Sequence, residues 1–85
     1  MAKIDIYTAA MCPFCSRAVH LLREKDQSFN QIDVTANRAL RQKMTGLAGG
    51  RTSVPQIFID GEHIGGCDEL YKLERIGHLD KLLAL

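Results

Sequence analysis

No apolar run in these 85 residues approaches the ~20 that a membrane-crossing helix needs. The opening, Met1-Ala2-Lys3-Ile4-Asp5, also lacks the apolar stretch of a secretory signal. Eleven basic and ten acidic side chains leave a formal net charge of +1, so charge offers no case for nucleic acid or an anionic membrane. Cysteine is sparse, with three residues, an odd number. A soluble, cytoplasmic protein is expected, and in that reducing compartment a permanent disulfide framework is not. Repeats, linkers and low-complexity segments are missing as well. What is left is one domain, residues 1–85, with 46% hydrophobic and 25% charged side chains. That length suffices for one core without staples.

Chemistry is expected where Cys12-Pro13-Phe14-Cys15 stands. Before it, Lys3-Ile4-Asp5-Ile6-Tyr7 alternates polar and apolar residues and predicts a strand. After it, Cys15, Ala18, Val19 and Leu22 recur at helical spacing and predict one apolar helix face. Two cysteines two residues apart, at the passage from strand to helix, read as a redox dithiol. Cys12 falls at or just before the helix start, where unpaired N–H groups and the dipole favour an anion. A thiolate there is expected to have a lowered pKa and to be nucleophilic. Pro13 suits the first helical position because its missing N–H would have had no partner. Cys15 lies one turn in on the core side and reads as the resolving thiol. A structural zinc would need four ligands. Beyond this pair the chain offers only Cys67 and the scattered His20, His63 and His78, so no metal is expected. His20 and His78 read as surface residues, His63 as a hairpin residue.

The remaining pattern predicts a mixed sheet with helices on its faces. Ser28 to Val34 reads as a second strand, joined to the first by a parallel, right-handed crossover. Thr35-Ala36-Asn37 offers caps for a second helix with Leu40, Met44 and Leu47 as its inward stripe. Gly46 and Gly49-Gly50 are expected to end it. Val54 to Ile59 reads as a third strand, Asp60-Gly61 as a hairpin turn, and Glu62-His63-Ile64 as a returning fourth strand. Cys67-Asp68-Glu69 opens a third helix, with Leu70, Leu73 and Ile76 inward. Leu79, Leu82 and Leu83 mark a last short helix that covers the core.

Taken together, Cys12-Pro13-Phe14-Cys15, Thr52-Ser53-Val54-Pro55 and Gly65-Gly66-Cys67-Asp68 resemble, in order and spacing, the dithiol glutaredoxins. The bacterial glutaredoxin 3 type is the nearest resemblance. It runs from about Lys3 to the C-terminus. It implies a thioredoxin-like fold and a glutathione-dependent thiol–disulfide oxidoreductase, with Cys12 as nucleophile and glutathione as electron donor rather than as a bound cofactor. Glutathione is then expected against Pro13 and Phe14 at the lip of the site. The resemblance implies a cis Val54–Pro55 bond facing Cys12, with the Val54 backbone pairing with the ligand's cysteine. Gly66 would leave room for backbone approach. The N–H groups of Cys67 and Asp68 would hold the γ-glutamyl carboxylate, and the Asp68 side chain its ammonium. Arg41 would meet the glycine carboxylate, with Arg51 or Arg38 as auxiliaries, and Thr52 is implied among the glutathione-binding residues.

The resemblance leads one to expect a lysine three positions before the nucleophile; Ala9 stands there. Implied partners are glutathionylated or disulfide-bonded proteins, ribonucleotide reductase among them, and the chain is expected to act as a monomer. Two other readings are a redoxin reduced by thioredoxin reductase and a dimeric iron–sulfur carrier. The Thr52–Pro55 and Gly65–Asp68 motifs count against the first, Cys15 against the second. Cys67 itself reads as a small, partly buried thiol near the site. Tyr7 fits either a ligand-contact ring or strand packing.

Overall fold

The computed structural model describes residues 2–85. Its elements are β1 (Ile4–Thr8), α1 (Pro13–Glu24), β2 (Asn30–Asp33), α2 (Arg38–Leu47), β3 (Gln56–Ile59), β4 (Glu62–Gly65), α3 (Cys67–Arg75) and α4 (His78–Leu82). The four strands form one mixed sheet in the order β2-β1-β3-β4. β1 and β2 run parallel through the α1 crossover, while β3 pairs antiparallel with both β1 and β4. This is the thioredoxin-like architecture the motifs imply. Among the described residues no helix is long and apolar enough to cross a membrane.

Strand alternation divides the core between the two sheet faces. Ile4, Ile6, Ile57 and Ile59 meet Ala18, Leu22, Leu70 and Leu79 from α1, α3 and α4. Tyr7, Phe58 and Val34 meet Met44 and Ala48 on the α2 side. Tyr7 is therefore a packing residue, edge-on to Phe58 at a centroid distance of 5.7 Å. The end of α1 is tied down by Lys25, whose Nζ lies 2.6 Å from Asp80 and 2.8 Å from Glu74. Those two carboxylates, Asp80 foremost, raise the pKa of the Lys25 ammonium. The helix that carries the cysteines is thus anchored at its far end to α3 and α4.

Several boundaries differ from the sequence expectation. The second strand begins at Asn30, and the third at Gln56 rather than Val54; Pro55 has no N–H to give to a ladder. Gly46 lies inside α2 instead of ending it. Leu47 is 52% exposed and Ala48 2%, because the ridge facing the core runs through half-buried Leu40 and buried Met44 and Ala48, four residues apart, and leaves Leu47 at its edge. Ile76, the C-cap of α3, is also exposed. Gly77 turns the chain there in the left-handed region, φ +76°, and Leu79 takes the core position instead.

Candidate active site

Cys12 is the N-cap of α1, in an extended conformation, with Pro13 as the first helical residue as the sequence predicts. Its Sγ accepts a hydrogen bond from the Cys15 N–H at 3.1 Å. The Cys12 thiol is 3.8 Å from the Val54 carbonyl oxygen, to which it donates. The approach to Cys12 is braced, since the Ala10 N–H donates to Thr35 Oγ1 at 2.7 Å. Met11, between them, is fully exposed with φ +55°. Ala9 packs against the α2-side core.

The two sulfurs sit in different surroundings. Cys12 is half-buried, whereas Cys15 is 4% exposed. Burial first, and then its hydrogen bond to Cys12, push the Cys15 thiol up to about 12. Cys15 therefore stays protonated at neutral pH and leaves Cys12 free to react. The same shift predicts an alkaline loss of stability. The unfolded chain sheds this proton from the ordinary value of 9.0, while the folded chain keeps it to about 12. Stability present below pH 9.0 thus falls as pH rises through that window. Thermal melts of the reduced protein should show Tm dropping there, and Cys15→Ala should flatten the drop.

Opposite Cys12 the Val54–Pro55 peptide bond is cis, as the resemblance implies. Phe14, Val54, Pro55, Gly66, Cys67 and Asp68 line one cleft of about 120 Å³. Phe14 forms its lip, 53% exposed. Cys67 is the first residue of α3 and is buried, which raises its thiol pKa despite the opposing charge of Arg17. Asp68 follows, exposed. The first N–H groups of a helix have no intrahelical acceptor, so Cys67 and Asp68 bring unpaired donors to this wall. Gly66 is the close-approach residue, because a Cβ there would lie 3.2 Å from the Pro55 carbonyl oxygen.

Arg41 and Thr52 stand beside this cleft rather than in its wall. The Arg41 Nη2 donates to the Thr52 carbonyl at 3.2 Å, which fixes the guanidinium against the loop leading to Val54. Pro13 is exposed at the start of α1. The three histidines lie away from the sulfurs: His20 pairs with Glu24 on α1, His78 is exposed, and His63 Nε2 donates to Gln56 Oε1 at 2.7 Å. Among the described residues no cluster of His, Cys, Asp or Glu could hold a metal ion.

Sequence reasoning left Glu69 out of the site, although it organises this wall. Its Oε1 accepts from the Gly66 N–H at 2.6 Å and from Arg51 Nη1 at 2.8 Å. These bonds, the Gly66 one first, lower the pKa of its carboxyl. Arg51 is thereby held by Glu69 and not free as an auxiliary cation. The available signal was a glutamate three residues after Gly66, the spacing at which an N3 acid reaches back to the helix N-cap. Gln56, fully buried, was missed too. Its Nε2 donates to the Ser53 carbonyl at 3.0 Å, bracing the loop before Val54.

A half-buried sulfur at a helix start, with a second thiol hydrogen-bonded to it from the core side, can exchange thiols for disulfides in two steps. The fold and this pair define a thiol–disulfide oxidoreductase of the thioredoxin-like class. Known proteins narrow the class. Residues 4–64 match the family described as Glutaredoxin. Glutaredoxin 3 of Escherichia coli (strain K12) is 52% identical over 83 residues, 98% of this chain and 99% of that protein. The solution structure of glutaredoxin from Brucella melitensis superposes with a TM-score of 0.86 at 49% identity, covering 98% of this chain and 89% of that one. A buckwheat glutaredoxin–glutathione complex superposes with a TM-score of 0.86 at 27% identity, covering 95% and 76%. The chain belongs to the glutaredoxin family.

Proposed function

We propose that this protein uses glutathione to reduce glutathione mixed disulfides and protein disulfides in the cytoplasm. The observation that carries this reading is the placement of Cys12 Sγ against the Val54 carbonyl, on a loop that shares its cleft with Gly66, Cys67 and Asp68. Those groups suit the parts of glutathione: backbone for its cysteine, helix-start N–H groups for the γ-glutamyl carboxylate, and Asp68 for its ammonium. Arg41 would take the glycine carboxylate. The buckwheat glutaredoxin–glutathione complex supports glutathione as the ligand.

The chemistry is thiol–disulfide exchange in either of two routes. In the first, the Cys12 thiolate attacks the glutathione sulfur of a mixed disulfide, and the substrate leaves as its thiolate. A second glutathione thiolate attacks the Cys12 adduct, giving glutathione disulfide and restoring Cys12. In the second route Cys12 attacks a protein disulfide. Cys15 then loses its proton, attacks Cys12 Sγ and expels the product thiolate. Two glutathione molecules reduce the Cys12–Cys15 bond and leave as glutathione disulfide. Glutaredoxin couples near −200 to −230 mV are driven by a cytosolic glutathione pool at about −220 to −260 mV.

A coupled assay tests the reading, with glutathione, its reductase, NADPH and a small glutathione mixed disulfide. Turnover should be glutathione-dependent. Asp68→Asn should raise the KM for glutathione about fivefold, the scale of one exposed ion pair at ~1 kcal/mol. No turnover with glutathione, but turnover with thioredoxin reductase, would move the assignment to the other reductant.

A further inference from the structure

Charge is segregated along this chain. Four of its eleven lysines and arginines, and none of its ten acids, fall between Val34 and Ile59. Three of the four, Arg38, Arg41 and Lys43, lie on α2, and Arg51 on the loop after it. Arg51 is neutralised by Glu69. The other three are exposed and, among the described residues, have no ion-pair partner. Arg38 and Arg41, three residues apart, share one helix face. With Asn37, Gln42, Thr45 and Val34 they line a groove of about 600 Å³. The groove also includes Thr52, two residues before Val54, and neither active-site cysteine lines it.

We infer that this groove docks an acidic segment of the polypeptide whose disulfide Cys12 attacks. The inference rests on the disulfide-exchange reading above and adds a substrate class to it. Charge complementarity selects the occupant, since exposed, unpaired guanidinium groups attract carboxylates and repel a basic segment. The groove is far larger than one carboxylate requires. Glutathione, placed as proposed, reaches this groove through its glycine carboxylate on Arg41. Arg38, Gln42 and Thr45 are left for a larger substrate. Such a field raises the encounter rate and fades with salt.

Gln42 is the position to change. It is exposed, lines the groove and stands four residues after Arg38, so a glutamate there pairs with Arg38 along the helix. The probes are two glutathionylated peptides, one with three glutamates beside its cysteine and one with three lysines, and a small mixed disulfide of glutathione with an uncharged thiol. At low salt the wild type should turn over the acidic peptide about tenfold faster than the basic one in kcat/KM, and the gap should shrink at physiological salt. Gln42→Glu should lower the acidic-peptide rate about threefold and Gln42→Lys should raise it similarly, as for a single rim charge. Turnover of the small disulfide should be the same in all three proteins. Equal turnover of both peptides, or an acidic preference that neither variant changes, overturns the docking site and leaves disulfide exchange standing. No turnover of any substrate by the wild type overturns the exchange reading, and the docking site with it.

Discussion

Cys12→Ser should show no turnover above background with either a glutathione mixed disulfide or a protein disulfide. Cys12 is the half-buried sulfur at the helix start, accepting the Cys15 N–H and facing Val54. A serine oxygen keeps that position, but its hydroxyl does not ionise near neutral pH and cannot form the covalent intermediate on which both routes depend. Cys15→Ser should behave differently. Cys15 is buried, with a thiol pushed up to about 12, so it takes no part in the first attack. The variant should keep turning over the small mixed disulfide, while with a protein disulfide it accumulates the Cys12 adduct that Cys15 would have resolved. The coupled assay, read beside non-reducing gels, separates the two.

Gly65→Val should cost roughly 3 kcal/mol or more of stability, from backbone strain and overpacking together. Gly65 sits at φ +122°, a conformation that a β-branched residue rarely adopts. A Cβ there would also fall 2.5 Å from Glu69 Oε1 and 2.8 Å from its Cγ. Glu69 would have to leave the Gly66 N–H and Arg51, and the start of α3 would loosen where Cys67 and Asp68 face the cleft. For a domain this size the Tm should fall by more than about 10 °C. Glutathione turnover should suffer even at temperatures where the variant is folded. An unchanged Tm would mean that Glu69 does not hold this wall.

Legibility followed the reach of the signal. The redox pair was visible because strand, dithiol and helix are contiguous, and Cys12 and Pro13 take the N-cap and first helical positions the sequence predicts. The alternation Ile4, Ile6 against Tyr7 likewise placed the two sheet faces. Leu47 misled because three- and four-residue spacings both suit a helix, and only the packed ridge shows that Ala48 fills the core. The Arg51–Glu69 contact was not legible, since it joins a loop to a helix 18 residues away, whereas the Glu69–Gly66 bond carried only the three-residue capping spacing. The charge segregation was present in the sequence, but a net charge of +1 conceals it. Arg38 and Lys43 read there as an ordinary solvated face; the groove beside Arg38 appears only once α2 lies beside Val34 and Thr52.

The central claim is that one sulfur, Cys12, makes the first bond to substrate. Its most direct measurement uses reduced Cys15→Ser protein, a small excess of glutathione disulfide at neutral pH, and peptide mapping of the adduct by mass. A single glutathione on Cys12 is the expected product, with Cys67 untouched because it is buried and its thiol pKa raised. Glutathione found first on Cys67, with Cys12 still a free thiol, would contradict the account.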